Sequence, residues 1–322
     1  MSTADVIVPC YRYGHYLRQC VKSVLTQDGP RIRILIIDDA SPDNTSEVAA
    51  ELAKEDPRVT VLEHSTNLGH IATYNEGIEW ASAEYLLLLS ADDYLLPGAL
   101  SRAIEVFAAH PEVGMVMGKA IELFDRDELP KITDYAASDW RSTYRIMSGR
   151  EFIDFSGCRN RVPTPTAVVR TKLQKQLGGY RLELPHAGDM EMWLRFAAHA
   201  SVGILDAHQA VYRRHSSNMS TPYTNQSWLP DLEQRKIALE FFFECGTQTT
   251  VDARVCGRLL RLLSLDAVSC ASATFNEGKV NVSEDIAAFA VDVFPRVKWS
   301  WAWRKLACKR VIGFKLWHAM RP

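Results

Sequence analysis

The segment IRILIIDDASPDNT, residues 32–45, places an almost wholly apolar run directly before two acidic residues. Such a run is typical of a strand that is covered on both faces, as in a parallel sheet flanked by helices. A second segment, YLLLLSADD at residues 85–93, repeats the arrangement. Apolar residues at helical spacing separate such runs, as in residues 15–27. Strands that alternate with helices predict an α/β fold with a mostly parallel sheet sandwiched by helices.

The alternation is clear in the first part of the chain and weaker later. The predicted strands there are 5–9, 32–37, 59–63, 85–89 and 113–117, and the predicted helices are 15–27, 41–54, 70–82 and 97–109. Residues 124–161 predict loops and a short helix. Beyond them the sequence predicts strands at 164–170, 202–205 and 210–214 and helices at 171–177 and 189–200. From Trp228 the pattern is helical to the end of the chain.

The overall composition is ordinary for a protein with a sizeable core, since 47% of the 322 residues are hydrophobic and 24% are charged. The formal net charge of −2 argues against a nucleic-acid-binding protein, because that function requires a basic excess. The seven cysteines form no CxxC pair, so we expect reduced thiols and no zinc site. Because we identify no signal peptide and no apolar run of about 18 residues, the sequence predicts a cytoplasmic protein.

The segment 296–322 has a different charge from the rest of the chain. It carries eight basic residues and no acidic one, which leaves −10 on the remainder. Apolar residues recur in it close to helical spacing, at Trp299, Trp303, Leu306, Ala307, Phe314 and Trp317. Such a helix can lie in an anionic membrane surface, which would place the protein on the inner face of the cell membrane. The alternative is a helix packed on the catalytic domain, with solvated lysines and arginines.

Two acidic pairs, Asp38-Asp39 and Asp92-Asp93, directly follow predicted buried strands. The carboxyl ends of parallel strands line one edge of a sheet, so both pairs can face one pocket. Like-charge repulsion within each pair favours a bound cation, and Mg²⁺ or Mn²⁺ suits oxygen ligands shared with a phosphate. The alternative is that Asp38-Asp39 caps the next helix. The chain has neither a GxGxxG nor a P-loop motif, so a bound diphosphate would depend on metal and side chains.

Three segments together resemble the family 2 glycosyltransferases, which have the GT-A fold. They are VIVPCYRYGHYLRQCVKSVLTQ (6–27), ILIIDDASPDNT (34–45) and NLGHIATYNEGIEWASAEYLLLLSADDYLLPGAL (67–100). A looser resemblance continues through Gly178-Gly179-Tyr180, the segment GDMEMWLR at 188–195 and the segment YRRH at 212–215. The resemblance implies a GT-A type, Rossmann-like, mostly parallel sheet with a helical C-terminal extension.

The resemblance also implies which residues bind the nucleotide. In similar enzymes the first strand and the following turn hold the nucleotide, which assigns Pro9, Cys10 and Tyr11 to nucleotide binding. Asp39 resembles the aspartate that accepts a hydrogen bond from the N–H of uracil. Asn67 belongs to the Asn-x-Gly stretch of the family and is assigned to the nucleotide as well.

The remaining site residues implied by the resemblance bind the metal and carry out the chemistry. Asp92 and Asp93 match the carboxylates that face the ribose and the metal, and we assign Asp92 to the nucleotide and Asp93 to Mn²⁺ or Mg²⁺. His215 matches a residue that approaches the diphosphate or metal. Asp189 resembles the general base, and its position at a helix start favours an anion.

The resemblance implies a domain organisation and an activity. Residues 1–222 would form the catalytic domain, with a nucleotide-binding half at 1–120 and an acceptor and base half at 121–222, and residues 223–322 a helical region. The activity would be an inverting, metal-dependent transfer of a sugar from a nucleotide-diphospho-sugar, with UDP as the expected nucleotide. The acceptor would be a carbohydrate or a lipid-linked hydroxyl in bacterial surface polysaccharide or glycolipid assembly.

Three alternatives remain open at this stage. A sugar nucleotidyltransferase would normally have a Gly-rich basic loop after the first strand, where this chain has CYRYGHY at 10–16. A non-catalytic sugar-nucleotide-binding module is compatible with Ser90 and Gly188, which replace acidic residues common in the family. A phospho-receiver domain also uses paired acids at strand ends, but it is far shorter and needs a strand-end lysine that we do not find.

Overall fold

The computed structural model describes residues 2–125, 127–128, 143–216, 218–219, 221–224, 227–246 and 252–320. Much of the predicted loop region 124–161 and the last two residues of the basic segment therefore lie outside the described residues. The chain divides into two compact units. The first consists of residues 1–155, 161–185 and 192–216, and the second of residues 156–160, 186–191 and 217–322.

The first unit is built on one sheet, which has nine strands within the described part of the chain. They are β1 (Thr3–Cys10), β2 (Arg31–Asp38), β3 (Val59–Glu63), β4 (Tyr85–Leu88), β5 (Tyr94–Leu95), β6 (Val113–Phe124), β7 (Tyr144–Met147), β8 (Val168–Arg170) and β9 (Ser201–Arg214). The order across the sheet is β3-β2-β1-β4-β8-β6-β9-β5, and β7 also pairs with β9. Strands β3, β2, β1 and β4 are parallel, as are β6 and β9, whereas β8, β5 and β7 pair antiparallel.

The parallel register fixes the edge of the sheet at which the acidic pairs lie. Cys10, the last residue of β1, is the partner of Asp38 at the end of β2, and Ile7 is the partner of Leu88 at the end of β4. After β4 the chain stays beside β1, because the Ala91 N–H donates to the Pro9 carbonyl at 3.3 Å. The ends of β1, β2 and β4 therefore form a common edge, as the sequence predicted.

Helices cover both faces of this sheet, which explains the continuous apolar runs. Seven described helices precede β9: α1 (Gly14–Leu25), α2 (Thr45–Glu55), α3 (His70–Trp80), α4 (Ala99–Ala109), α5 (Gly149–Ser156), α6 (Thr171–Leu177) and α7 (Gly188–His199). On one face Val6 and Ile34 share a buried cluster with residues of α1, α2 and α4. On the other face α3 packs so closely that a Cβ atom on Gly77 would lie 2.3 Å from the Ile7 side chain.

A buried carboxylate fixes the start of β1. Asp5 is fully buried, and its two oxygens accept two hydrogen bonds of 2.8 Å from the Arg33 guanidinium of β2. The backbone N–H groups of Ser82 and Ala83, just before β4, donate to the same carboxylate at 2.7 and 2.8 Å. One side chain therefore ties together the first halves of three neighbouring strands, and its burial is balanced by four donors.

The predicted strands and helices of the first unit are observed, but β5 and β7 were not predicted, and β6 extends to Phe124 instead of ending at Met117. Two predicted strand regions also differ in how they divide. Residues 202–205 and 210–214, predicted as two strands, form the single strand β9, because β6 pairs with both stretches and, through Lys119 opposite His208, with the more polar residues between them. Residues 164–170, predicted as one strand, divide into a 3-10 helix at Thr164–Thr166 and β8. Periodicity identifies buried stretches, but pairing partners decide where a strand is interrupted.

The second unit is helical, as predicted from Trp228 onward. Its helices are α8 (Thr221–Thr224), α9 (Leu229–Gly246), α10 (Ala253–Asn276), α11 (Val280–Val293), α12 (Trp301–Ile312) and α13 (Phe314–Ala319), with a 3-10 helix at Pro295–Trp299. Helices α10 and α11 are joined by buried serine hydroxyls: Ser264 donates to the Ala290 carbonyl and Ser283 to the Ala271 carbonyl. Among the described residues, no helix combines the length and the hydropathy that crossing a bilayer requires.

Candidate active site

The turns that follow β1 and β2 are strained and touch each other. Arg12 and Ala40 have φ values of +64° and +56°, in the left-handed region that residues with a side chain seldom adopt. The Arg12 N–H donates to the Ser41 hydroxyl at 3.0 Å, and the Gly14 N–H donates to the Asp43 carboxylate at 3.3 Å. Backbone strain of this kind persists only where the surroundings enforce it, and it is concentrated at ligand sites.

Asp39 is buried and orders the loop that follows β3. Its carboxylate accepts hydrogen bonds from the backbone N–H groups of Leu68 at 2.7 Å and Gly69 at 2.9 Å. The amide of Asn67 donates to the Asp39 carbonyl at 3.1 Å, so the structure brings these two predicted nucleotide residues together. Helix α2 begins only at Thr45, and the Asp38 carboxylate instead accepts from the Ser41 N–H. The alternative that the acidic pair caps this helix is therefore wrong.

His64 links Asp39 to a second carboxylate. Its Nδ1 lies 2.8 Å from Asp39 Oδ1, and its Nε2 lies 2.6 Å from Glu76 Oε2 in α3. Burial by itself lowers the pKa of His64, but hydrogen bonds to the two carboxylates outweigh burial and raise the pKa above its ordinary value. Neither His64, which lies outside the family-like segments, nor Glu76, which lies within one, was expected at this site, because only the fold brings them to Asp39.

The three predicted nucleotide residues at the end of β1 differ in exposure. Pro9 and Cys10 are buried within the sheet, and burial raises the pKa of the Cys10 thiol to about 12. Tyr11 is 41% exposed, and the Arg12 guanidinium carbon lies 5.7 Å from its ring centre. Tyr11 thus has a side chain that a ligand can reach, whereas Cys10 contributes to the core and Pro9 to the strand.

Asp92 and Asp93 lie in the turn between β4 and β5, and both are buried. The Asp93 N–H donates to the Ser90 carbonyl at 3.0 Å, which closes the turn. The Asp93 carboxylate in turn accepts a hydrogen bond from the Arg213 N–H at 2.9 Å, at the end of β9. Burial, followed by the neighbouring Asp92, raises the pKa of Asp93 well above its ordinary value. A cation beside this pair would therefore be favoured electrostatically.

His215 lies against Asp92. Its Nε2 is 3.1 Å from Asp92 Oδ2, and the imidazole is only 7% exposed. Two tyrosines that the sequence analysis missed enclose the ring: Tyr16 stacks on it at 5.9 Å and Tyr13 meets it edge-on at 5.5 Å. Both tyrosines belong to the segment CYRYGHY (10–16). The high aromatic content of this segment is the sequence feature that could have indicated an aromatic contact at the site.

Arg213 completes this group of side chains. Its guanidinium carbon lies 4.6 Å from the Tyr16 ring centre and 5.3 Å from that of Tyr94, and the guanidinium is also hydrogen-bonded to Gln19. It therefore places a fixed positive charge close to Asp93, where it lowers the pKa of that carboxyl.

The residues around Asp93 have the chemistry that Mn²⁺ or Mg²⁺ requires, although their geometry is not that of a preformed site. Carboxylate oxygens and an imidazole nitrogen are donors that these ions accept, and burial together with the neighbouring Asp92 raises the pKa of Asp93, so a nearby cation would favour its charged form. Among the described residues, no group of three or more His, Cys, Asp or Glu side chains is arranged to hold an ion.

Three family-like segments meet at the Gly178-Gly179-Tyr180 turn. Asn75 of α3 forms two hydrogen bonds with the backbone of Tyr180, at 2.9 and 2.6 Å. Arg195 of α7 donates to the carbonyls of Leu177 at 2.7 Å and Gly179 at 2.8 Å. Gly178 has φ of +83°, and a Cβ atom on Gly179 would lie 2.3 Å from Asn75, so both positions need glycine.

This turn borders an open pocket of about 430 Å³. Its polar lining includes Asn75, Arg181, Glu183 and Arg195. The sequence analysis found each of the three segments but could not show that they meet.

Asp189 lies in the first turn of α7, where Gly188 is the first helical residue. Its side chain is half-buried. Glu191 is the second acid of this turn and is fully buried. The first turn of a helix favours negative charge, so the position suits a carboxylate.

Comparisons with known proteins identify the family. The family model described as "Glycosyl transferase family 2" matches residues 5–175. An uncharacterised protein of Mycobacterium tuberculosis is 28% identical over 226 residues, which cover 67% of this chain and 68% of that protein. An uncharacterised glycosyltransferase of Nostoc sp. is 35% identical over 112 residues, 35% of each chain. The glycosyltransferase GlyG of Streptococcus pneumoniae is 38% identical over 89 residues, which cover 28% of this chain and 30% of GlyG. The chain thus spans about a third of the length of the last two relatives.

Solved structures show the same fold at low identity. Residues 1–349 of S. aureus TarS, in complex with UDP-GlcNAc, match with a TM-score of 0.67 and 20% identity, over 91% of this chain and 81% of that one. The mannosyltransferase PcManGT of Pyrobaculum calidifontis, in complex with GDP-Man and Mn²⁺, matches with a TM-score of 0.55 and 17% identity. The match covers 98% of this chain and 85% of that one. The GT-A α/β fold implied by the sequence is therefore confirmed. Because the family model covers more than half of the chain, the protein belongs to glycosyl transferase family 2.

Proposed function

We propose that this protein transfers a sugar from a nucleotide-diphospho-sugar to an acceptor hydroxyl, with inversion at the anomeric carbon. The observation that carries the proposal is that Asp92, Asp93, Arg213 and His215 meet at the edge where β1, β2 and β4 end, in a chain of this family. This edge is where open parallel sheets bind ligands. UDP is the proposed nucleotide, and TarS, which shares the fold, binds UDP-GlcNAc.

In this proposal the nucleotide lies against the turns after β1 and β2. Tyr11 offers an exposed ring on which a base can stack. The loop of Asn67, Leu68 and Gly69, which hydrogen bonds with Asp39 hold in place, forms the neighbouring wall. We assign Asp39 to the uracil N–H as well, because a carboxylate oxygen can accept more than one hydrogen bond.

The diphosphate, in this proposal, lies near Asp92 and Asp93. Arg213 and Arg214 contribute positive charge there, and both lower the pKa of Asp93 from the value that burial alone would give. Asp93 and His215 would hold Mn²⁺ or Mg²⁺, which when bound supplies positive charge to the leaving diphosphate. His215 would be kept in orientation by Asp92 and the two tyrosines that enclose it.

Asp189 is the proposed general base. It would take the proton of the acceptor hydroxyl while that oxygen forms a bond to the anomeric carbon, from the face opposite the breaking bond to the diphosphate. General-base assistance contributes about 10²- to 10⁴-fold to such a step. Asp189→Asn keeps the size of the side chain and removes its basicity, so we expect donor binding to survive and transfer to fall by about that factor.

The experiment screens UDP-sugars against carbohydrate and lipid-linked acceptors with Mn²⁺ present and measures released UDP and the glycosylated product. The control variant is Glu47→Gln, which neutralises an exposed acid in the first turn of α2. Loss of transfer in Asp189→Asn but not in Glu47→Gln supports the assignment. Wild-type turnover in Asp189→Asn would mean that another group is the base.

The same screen separates the proposed enzyme from a binding module. UDP binding by the wild type without product from any donor–acceptor pair would favour a non-catalytic sugar-nucleotide-binding protein. Formation of UDP-sugar from UTP and a sugar phosphate would favour a nucleotidyltransferase. We further expect Asp93→Asn to remove the effect of Mn²⁺ on UDP affinity, and an unchanged effect would contradict the metal assignment. The acceptor class, in surface polysaccharide or glycolipid assembly, stays a prediction.

A further inference from the structure

Helices α12 and α13 pack one face against α10. This face contains most of the apolar residues that recur at helical spacing in segment 296–322. Leu306 and Lys309 of α12 are buried. The Lys309 ammonium donates to the Ser272 hydroxyl at 2.6 Å and the Asn276 side chain at 3.1 Å, both in α10. The Trp317 indole N–H also donates to Asn276, and Phe314 packs edge-on against Phe275. Most of this stripe is therefore packed, but against α10 of the helical region, and Trp299 of the predicted stripe is 77% exposed.

The opposite face of α12 is exposed and combines apolar and basic side chains. Trp301, Arg304, Lys305, Cys308 and Val311 are all exposed, at the spacing of a single helical face. Trp301 is 80% exposed and Val311 is 88% exposed. We call these five residues the outer face of α12.

Further exposed residues flank α12 in the sequence. Lys298 and Trp299 precede α12, and Lys315, Leu316 and Met320 follow it. Trp299 is 77% exposed, Leu316 is 64% and Met320 is 68%. Two exposed tryptophans so close in sequence are unusual for a protein surface, because burying a tryptophan side chain is strongly favourable.

The charge of this surface selects its partner. Segment 296–322 has no acidic residue, although the rest of the chain carries a net charge of −10. Of its basic side chains, Arg310 hydrogen bonds to Glu284, whereas Arg304 and Lys305 point outward on the outer face. A partner must therefore carry negative charge and must also provide a partly apolar environment in which tryptophan rings can be buried. The headgroup layer of an anionic bilayer has both properties.

We propose that the outer face of α12, with Lys298, Trp299, Lys315 and Leu316, binds the surface of an anionic lipid bilayer. The 12-residue helix lies parallel to the membrane plane, with its tryptophans at headgroup depth and its basic groups at lipid phosphates. The helix is attached by its inner face to α10, so binding requires no unfolding. The proposal is independent of glycosyl transfer and holds whether or not the protein has that activity.

Co-sedimentation of the full-length chain with vesicles tests the proposal. The vesicles are phosphatidylglycerol mixed with phosphatidylcholine, and phosphatidylcholine alone serves as the neutral comparison. Each basic residue near such a surface contributes about fivefold to binding, so Arg304→Glu with Lys305→Glu should weaken it about 25-fold or more. Trp299→Ala with Trp301→Ala should weaken it about tenfold or more through lost apolar contact. Both pairs are exposed, so the variants should fold.

The matched control is Arg254→Glu with Arg261→Glu, which reverses two exposed charges on α10, at least 11 residues along the chain from Ser272 and Asn276, where Lys309 of α12 binds. This variant should bind anionic vesicles like the wild type. Failure of the wild type to bind them at low salt overturns the proposal, as does equal binding to neutral vesicles. A concentration-dependent dimer that the tryptophan variant abolishes, in a chain that does not sediment with vesicles, would assign the surface to a second copy and also overturn it.

Discussion

Replacing Asp39 with asparagine tests whether this residue orders the loop after β3, contacts the base, or does both. In the structure its carboxylate accepts hydrogen bonds from Leu68 N–H, Gly69 N–H and the His64 ring. Asparagine is nearly the same size, but one of its two terminal atoms is an N–H donor. At least one loop N–H would then face a donor instead of an acceptor.

The expected magnitude follows from this contact. Losing a charge-assisted hydrogen bond and leaving a donor unsatisfied costs about 1.5–3 kcal/mol. If the loop must be ordered in the nucleotide complex, this energy reduces the affinity for UDP by about 10- to 100-fold, since about 1.4 kcal/mol corresponds to tenfold. The assay is calorimetric titration of wild type and Asp39→Asn with UDP. Asp28→Asn, an exposed aspartate before β2, is the control.

Titration with CDP separates the two roles of Asp39. Uracil presents an N–H at the ring position where cytosine presents an acceptor, so an asparagine that touches the base can donate to cytosine. If Asp39 contacts the base, Asp39→Asn should lose affinity for UDP but keep or gain affinity for CDP. If Asp39 only orders the loop, both affinities should fall by the same factor. Wild-type affinity for UDP in Asp39→Asn would refute both roles.

Two further predictions follow from contacts that the sequence did not reveal. The pKa of His64 is raised in the folded chain, so protonated His64 contributes to the free energy of unfolding. This contribution is complete below the ordinary histidine pKa of about 6.5 and is lost as the pH rises through the folded pKa. His64→Gln should remove this part of the pH dependence in denaturant unfolding between about pH 5 and about pH 8, and identical curves for both chains would contradict the assignment. Asn75→Ala should lower the free energy of unfolding by about 1–3 kcal/mol, because it leaves the buried backbone of Tyr180 without its two partners. Urea unfolding measures this change. Asn75→Asp is the comparison, because it keeps the acceptor for the Tyr180 N–H. Equal stability of Asn75→Ala and the wild type would show that other contacts hold the turn.

The predicted strands of the first unit were correct where burial on both faces leaves a continuous apolar run, as in IRILII and YLLLL. The acidic residues after these runs lie at one edge because parallel strands end together. In contrast, β9 was predicted as two strands. Its central residues are more polar, and it continues because β6 pairs with it on both sides of them.

The C-terminal segment shows a similar limit. Helical spacing identified an apolar stripe, and the structure confirms that Leu306, Phe314 and Trp317 face inward or are half-buried. The stripe could not reveal that Trp301 remains outside, because an exposed tryptophan and a buried one look alike in a sequence. Only packing against α10 distinguishes the two faces.

By itself, the sequence determined the α/β fold, the family, and the residue types available at the strand ends. These properties depend on local periodicity and on short motifs, which the chain carries whether or not it is folded. The tertiary structure alone decided which groups meet: Asp93 with Arg213, 120 residues away, His64 between Asp39 and Glu76, and Asn75 with Tyr180. Contacts between distant segments depend on how helices and strands pack, and no local pattern in the chain encodes the partner of a given side chain.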